Sequence, residues 1–449
     1  MLKRKAEKAI TEWVLRGKRA LLVDGARQVG KTFLIRRCLK EANKNYLEVN
    51  LIERPELIPV LDNSNTVEDL VINLSAAMDY SFVKGETILF IDEVQELKDL
   101  VTRIKFWVDE GSFRYVLSGS LLGVEIRDLR SAPVGYLDEI TMYPLDFEEF
   151  LTASGVTAET VEFLRRAFAG TVEIPNVVHE KMMTHFRRYL VVGGMPAAVQ
   201  EYVDTGNMNE VSNIQKGIIA FYKRDFTKYE EENRKLMLTT VYDQIPSRLL
   251  KQNRRFSYAD IKKGLRFEKA ESSFLWLSSA GVAIPTYNAT EPRVSLSQNQ
   301  KSSLLKLYSS DVGLLTCQCG EAIRLKILMS DEKINLGGIY ENAVAQELHA
   351  HGFPSYFYNR HKQGELDFVI EKDANVVPIE VKSGKDYYEH SALSKVVNNP
   401  EYDVREAYVF TNYQPSVSGK IKNYPVYLAT FLRDDTELPV LQRIEQSFT

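Results

Sequence analysis

LLVDGARQVGKT, residues 21–32, is the stretch that decides the fold. Leu21, Leu22 and Val23 form an apolar run of strand character. Gly25, Ala26, Arg27, Gln28, Val29, Gly30, Lys31 and Thr32 then fit the pattern G-x-x-x-x-G-K-[ST], and FLIRRCLK continues as a helix. Strand, glycine loop and helix are the context in which this pattern cradles a phosphate. Glycines let backbone N–H groups curl around the anion, and the helix turns its positive end toward it. Lys31 is then placed to reach the β- and γ-phosphates of ATP, and Thr32 to put its hydroxyl on Mg²⁺. A chance glycine turn is the alternative.

Downstream, ILFIDE (residues 88–93) supplies a matching half. Four apolar residues read as a buried parallel strand. Asp92 at its end can hold the magnesium shell, and Glu93 can orient or deprotonate an attacking water. Two carboxylates capping the next helix are the competing reading. Tyr115–Ser120 is a further strand, ending in Ser118 and Ser120 at the same sheet edge. Ser118 can sense the γ-phosphate, or serve as an ordinary turn serine. Between residues 19 and 150, apolar strands alternate with helical stretches, the pattern of an α/β fold with a parallel sheet.

The chain has 449 residues, enough for several domains. Its net charge of −4 excludes a polycation, so any nucleic-acid surface is local. Three cysteines, Cys38, Cys317 and Cys319, suit a reducing cytoplasm and give no zinc spacing. The basic N-terminus is interrupted by Glu7, Lys8, Glu12, Arg16 and Lys18. No apolar run reaches the roughly 18 residues of a membrane span. A cytoplasmic protein with no membrane contact is expected.

Residues 248–269 hold Arg248, Lys251, Arg254, Arg255, Lys262, Lys263, Arg266 and Lys269 against Asp260 and Glu268. Two helices and a hairpin around this patch suggest a winged helix that grips DNA through phosphates. The alternatives are a solvated helical face or a winged helix used for protein contacts. Further on, GELDFVI and VPIEVKSG place Asp367 on one strand and Glu380 and Lys382 on the next, with both of the latter on one side. Asp367, Glu380 and Glu341 can ligate a second Mg²⁺ or Mn²⁺, and Lys382 can help activate water. An exposed Glu–Lys ion pair is the plainer reading. The order helix–Glu341, strand, Asp367 strand, Glu380-x-Lys382 strand resembles the PD-(D/E)XK nuclease fold. Leu366 stands where its name-giving motif has proline.

GARQVGKT, ILFIDEVQ, VLSGSLLG and YPLDFEEF, in that order, resemble the AAA-type ATPases of bacteria and archaea. With YLVVGGMPAAV, they resemble the subgroup that carries a C-terminal domain of unknown function. The resemblance implies an ATPase core (1–146), a helical lid (147–235), a winged-helix-like module (236–320) and a nuclease-like domain (330–449). Where the subgroup often has Gly-Arg, this chain has Gly135-Tyr136; Arg127 and Arg130 are the candidate arginine fingers. Two functions are expected. In one, ATP hydrolysis controls a DNA-directed, metal-dependent C-terminal domain. In the other, ATP sets a conformation, and the downstream modules are non-catalytic surfaces for DNA or protein, homo-oligomers included.

Overall fold

The computed structural model describes residues 2–97, 99–120, 135–170, 172–228, 232–251, 253–256, 267–331, 335–384 and 390–434. Five strands form the first sheet: β1 (Ala20–Asp24), β2 (Tyr46–Asn50), β3 (Ile88–Asp92), β4 (Arg114–Ser118) and β5 (Leu137–Thr141). Their order is β2-β3-β4-β1-β5 and every pairing is parallel. Side chains alternate across the sheet. Leu21, Val23, Phe90 and Val116 pack with the helices Ala6–Arg16 and Lys31–Glu41 on one face. Leu22, Leu89, Ile91 and Leu117 pack with Val67–Met78 and Asp99–Glu110 on the other. This is a three-layer α/β arrangement, the fold class the sequence leads one to expect. In register, Ser118 of β4 faces Val23 on one side and Asp92 on the other. The ends of β1 and β3 therefore flank one crevice, where ligands of open parallel sheets bind.

Helices fill residues 147–228, among them Asn176–Val192, Pro196–Thr205 and Met208–Lys228. Gly193 and Gly194 separate the first two, and the space explains them. A Cβ on Gly194 would lie 2.0 Å from the Leu145 carbonyl oxygen, and one on Gly193 2.3 Å from Asp311 Oδ1. The Gly194 N–H donates to Asp311 Oδ2 at 2.6 Å, and Gly194 O accepts from Leu145 N at 2.7 Å. The chain thus knots the exit of β5 to the start of the helix Val312–Cys319.

The second sheet is mixed and has nine strands. They are β6 (Arg255–Phe256), β7 (Ala283–Ala289), β8 (Gln300–Ser309), β9 (Tyr356–Arg360), β10 (Gly364–Lys372), β11 (Asn375–Val381), β12 (Ala407–Thr411), β13 (Ser416–Ser418) and β14 (Ile421–Pro425). The order is β13-β14-β12-β11-β10-β9-β7-β8-β6. Tyr287 of β7 pairs in parallel with Tyr356 of β9, so the β7–β8 hairpin and the C-terminal strands form one continuous sheet. No helix among the described residues is long and apolar enough to cross a membrane.

Candidate nucleotide site

Gly25 opens the loop at φ +132°, where a Cβ would meet the Met142 carbonyl oxygen at 2.1 Å. Gln28 (φ +67°) and Gly30 (φ +92°) are also left-handed. Such turns produce a backbone concavity suited to anions. The helix Lys31–Glu41 starts at once behind it. Lys31 Nζ folds back onto the carbonyls of Gly25 (2.8 Å) and Ala26 (2.9 Å). Burial pulls its pKa down to about 8, against the opposing pull of Glu93, Asp92 and Asp24. Burial likewise raises the Asp24 carboxyl at the end of β1, partly offset by a Thr141 hydrogen bond.

Asp92 gathers the crevice. Its Oδ2 accepts from Thr32 Oγ1 at 2.8 Å and from Asn50 Nδ2 at 3.1 Å. Its Oδ1 accepts from the Ser118 hydroxyl and from Glu93 N–H at 3.1 Å. Glu93 sits at φ +59°, and Gln95 Nε2 donates to its carboxylate at 2.5 Å. The Thr32 hydroxyl beside a carboxylate is the hard-oxygen pair that Mg²⁺ takes in such sites, so these residues fit the ion. Beside Gly30 lies an apolar cleft of about 390 Å³, lined by Leu2, Arg4, Phe33, Leu34, Pro196 and Gln200.

Distant residues hold the loop. Tyr222 donates its hydroxyl to Arg27 O at 3.1 Å, and Asp225 pairs with the Arg27 guanidinium. Gly281 packs on Ala26, leaving a Cβ only 3.0 Å from Ala26 N. Arg4 donates to Val29 O (2.9 Å) and Tyr143 O (2.6 Å) and pairs with Glu149 (3.2 Å). Tyr222, Asp225, Gly281 and Arg4 lie outside the quoted motifs, whereas Glu149 falls within YPLDFEEF. Asn50 also had a signal, as the polar end of the run YLEVN.

Glu341, Asp367, Glu380 and Lys382 do converge at one end of the second sheet. Asp367 Oδ2 accepts from Val381 N–H at 2.9 Å, and Lys382 pairs with Glu380 at 3.0 Å. Burial, then Asp367, pushes Glu380 up to about 7, with Lys382 opposing. Two further cations lie among them, Arg254 and Lys306. Arg254 pairs with Glu341 and lies 3.9 Å from Asp367. Arg255, partly exposed, lies 3.8 Å from Glu365. Expected on a solvent-facing basic patch, both arginines instead face carboxylates, Arg254 because the buried Glu341 needs counter-charge. Arg248 lies over the Phe256 ring at 5.7 Å, and Lys251 is exposed. Arg127, Arg130, Lys262, Lys263, Arg266 and the side chain of Lys269 lie outside the described residues. Among the described residues, the tight gathering of metal-type ligands is Asp146, Glu347 and His351, not the Glu341 set.

Comparison with known families matches residues 17–151 to the model of the AAA domain. Residues 183–322 and 336–427 match two separate models, each described only as a domain of unknown function. Comparison with the curated proteins gave no match. Among solved structures, a Walker-type ATPase of Pyrococcus abyssi is 17% identical, with 71% of this chain and 96% of that one covered and a TM-score of 0.44. A chain from a structure on katanin self-assembly is 17% identical over 36% of this chain and 57% of its own, with a TM-score of 0.24. Neither superposition is close enough to carry an argument. The AAA match and the site geometry together make residues 17–151 an ATP-binding, AAA-type P-loop ATPase domain.

Proposed function

We propose that this chain binds ATP with Mg²⁺ in the crevice between residues 25–32 and the end of β3, and hydrolyses it to switch the modules that follow. The observation that carries this is the 2.8 Å contact between Thr32 Oγ1 and Asp92 Oδ2, which joins the phosphate loop to the strand that would share the ion. Lys31 leaves its carbonyl partners to hold the β- and γ-phosphates. Asp92 and Thr32 hold Mg²⁺, Ser118 fixes Asp92, and Glu93 is the base for water. The cleft beside Gly30 takes the adenine, since a flat apolar ring suits Leu2, Phe33 and Leu34. Arg27, tied to Asp225, and Ala26, touched by Gly281, offer the route by which the phosphate state reaches residues 208–320.

The downstream modules remain a proposal in two forms. In one, ATP controls a DNA-directed, metal-dependent domain at residues 330–449, with the winged-helix-like residues 236–320 on DNA. In the other, both are binding scaffolds with no turnover. Lys306, fully buried among carboxylates, favours the second.

The test is ATP binding and phosphate release in the intact protein. Lys31→Ala should lose ATP binding, while Glu93→Gln should keep it and turn over about 10²–10⁴-fold more slowly. Unchanged affinity in the first variant sinks the site, and unchanged turnover in the second removes Glu93 as base.

A further inference from the structure

We propose that Lys306, assisted by Arg254, is the resident counter-cation of the C-terminal carboxylate cluster and stands where a divalent ion would otherwise bind. Lys306 Nζ lies 2.8 Å from Glu365, 3.7 Å from Asp367 and 3.8 Å from Glu341. Its side chain is 0% exposed, and its charge also faces the Phe357 ring at 5.2 Å. Tyr308 donates its hydroxyl to Glu341 Oε2 at 3.2 Å, taking a lone pair a metal would need.

Among the described residues the charges already balance. Glu341, Glu365, Asp367 and Glu380 face Arg254, Arg255, Lys306 and Lys382. A divalent ion added here brings two further positive charges into a half-buried site beside a fully buried ammonium, and like charges repel more strongly there than in open water. The residues present therefore do not fit the second metal that the nuclease-like motif implies.

Nor is Lys306 a loose side chain that can swing away. It sits on β8, between β6 and β7, and β7 is paired to β9 and β9 to β10, which carries Glu365 and Asp367. The cation and its acids belong to one sheet, which fixes the Lys306 backbone beside them, while complete burial and the 2.8 Å contact with Glu365 hold its ammonium in place.

The inference deepens the scaffold form of the proposed function and is independent of the ATP site. It is tested by electron paramagnetic resonance of Mn²⁺ titrated into the nucleotide-free full chain. The wild type and the Asp367→Asn/Glu380→Gln variant should leave the same free-Mn²⁺ signal. Lys306→Met should gain one bound Mn²⁺ per chain, which the same two substitutions then abolish. Wild-type Mn²⁺ binding that is lost in Asp367→Asn/Glu380→Gln overturns the proposal, as does a folded Lys306→Met that gains no ion. If Lys306→Met does not fold, the first comparison decides alone. ATP binding is not read in this experiment, so failure of the ATP site leaves the result intact.

Discussion

Lys31 is a buried ammonium waiting on two carbonyl oxygens, and its depressed pKa has two consequences. Between pH 8 and 10.5 the unfolded chain holds the proton that the folded chain has lost. Stability of the nucleotide-free protein therefore rises with pH across that window, as far as this group governs it. ATP acts in the opposite direction, because its phosphates favour the charged lysine. Binding at pH 8–9 should take up a proton and weaken as pH rises further. Calorimetry in two buffers of different ionisation enthalpy reads this directly, and zero uptake would refute it. The loop was legible in the sequence because phosphate chemistry fixes residue identity and spacing over only eight positions. Tyr222, Asp225 and Arg4 were not legible, since they reach the loop across long separations and any polar side chain of suitable length could do so. Glu380 and Lys382 were read as one-sided from the two-residue period of a strand, although β11 ends at Val381, and Asp367 was read from a hairpin, which β10 and β11 form. Lys306 was not legible, because in KSSLLKLYSS it reads as a plain polar position on a hairpin.

At the level of elements, Gly193-Gly194-Met195-Pro196 marks a turn between helical stretches in the sequence itself. Its cause is not legible there, because close approach involves Leu145 and Asp311, distant in sequence. Asp311 caps the helix Val312–Cys319 by accepting from Leu314 N–H at 2.8 Å, and burial raises its pKa to about 6 despite three backbone donors. The crossing therefore has both a steric and a polar half. Gly194→Ala should force the Leu145 backbone away from the 193–194 turn, costing about 1–3 kcal/mol as overpacking does. A fall in Tm of roughly 1–3 °C is expected in thermal unfolding. An unchanged Tm would mean that the crossing relaxes freely.

The whole molecule is drawn together by a charged joint that composition could not reveal. Asp146, Glu148 and Glu149, at the end of the ATPase core, meet Arg4 and Lys5 from the N-terminus and His351 and Arg433 from the C-terminal domain. Burial would raise Asp146, but the His351 hydrogen bond and Lys5 hold it below the usual carboxylate range. Its neighbour Glu347 takes the opposite course. Burial, then the Asp146 charge, raises it from 4.5 to about 8. The folded chain thus holds a proton on Glu347 that the unfolded chain has released. That contribution is full below pH 4.5 and is lost as pH climbs through 8. Glu347→Gln keeps an acceptor for Phe147 N–H, now at 2.8 Å, and removes the titration. Its Tm advantage over the wild type should grow from pH 5 upward and reach about 3 °C or more above pH 8. A pH-independent difference would show that Glu347 does not titrate in this range.

The continuous nine-stranded sheet also bears on how such a protein can be inherited. If residues 330–449 were cut away as a separate gene product, β9 would lose β7 and present a bare backbone edge, an invitation to aggregation. The same cut would strip Lys306 and Arg254 from Glu341, Asp367 and Glu365. Recombination that joins this C-terminal part to another ATPase would have to carry with it the β7–β8 hairpin, well before the carboxylates themselves.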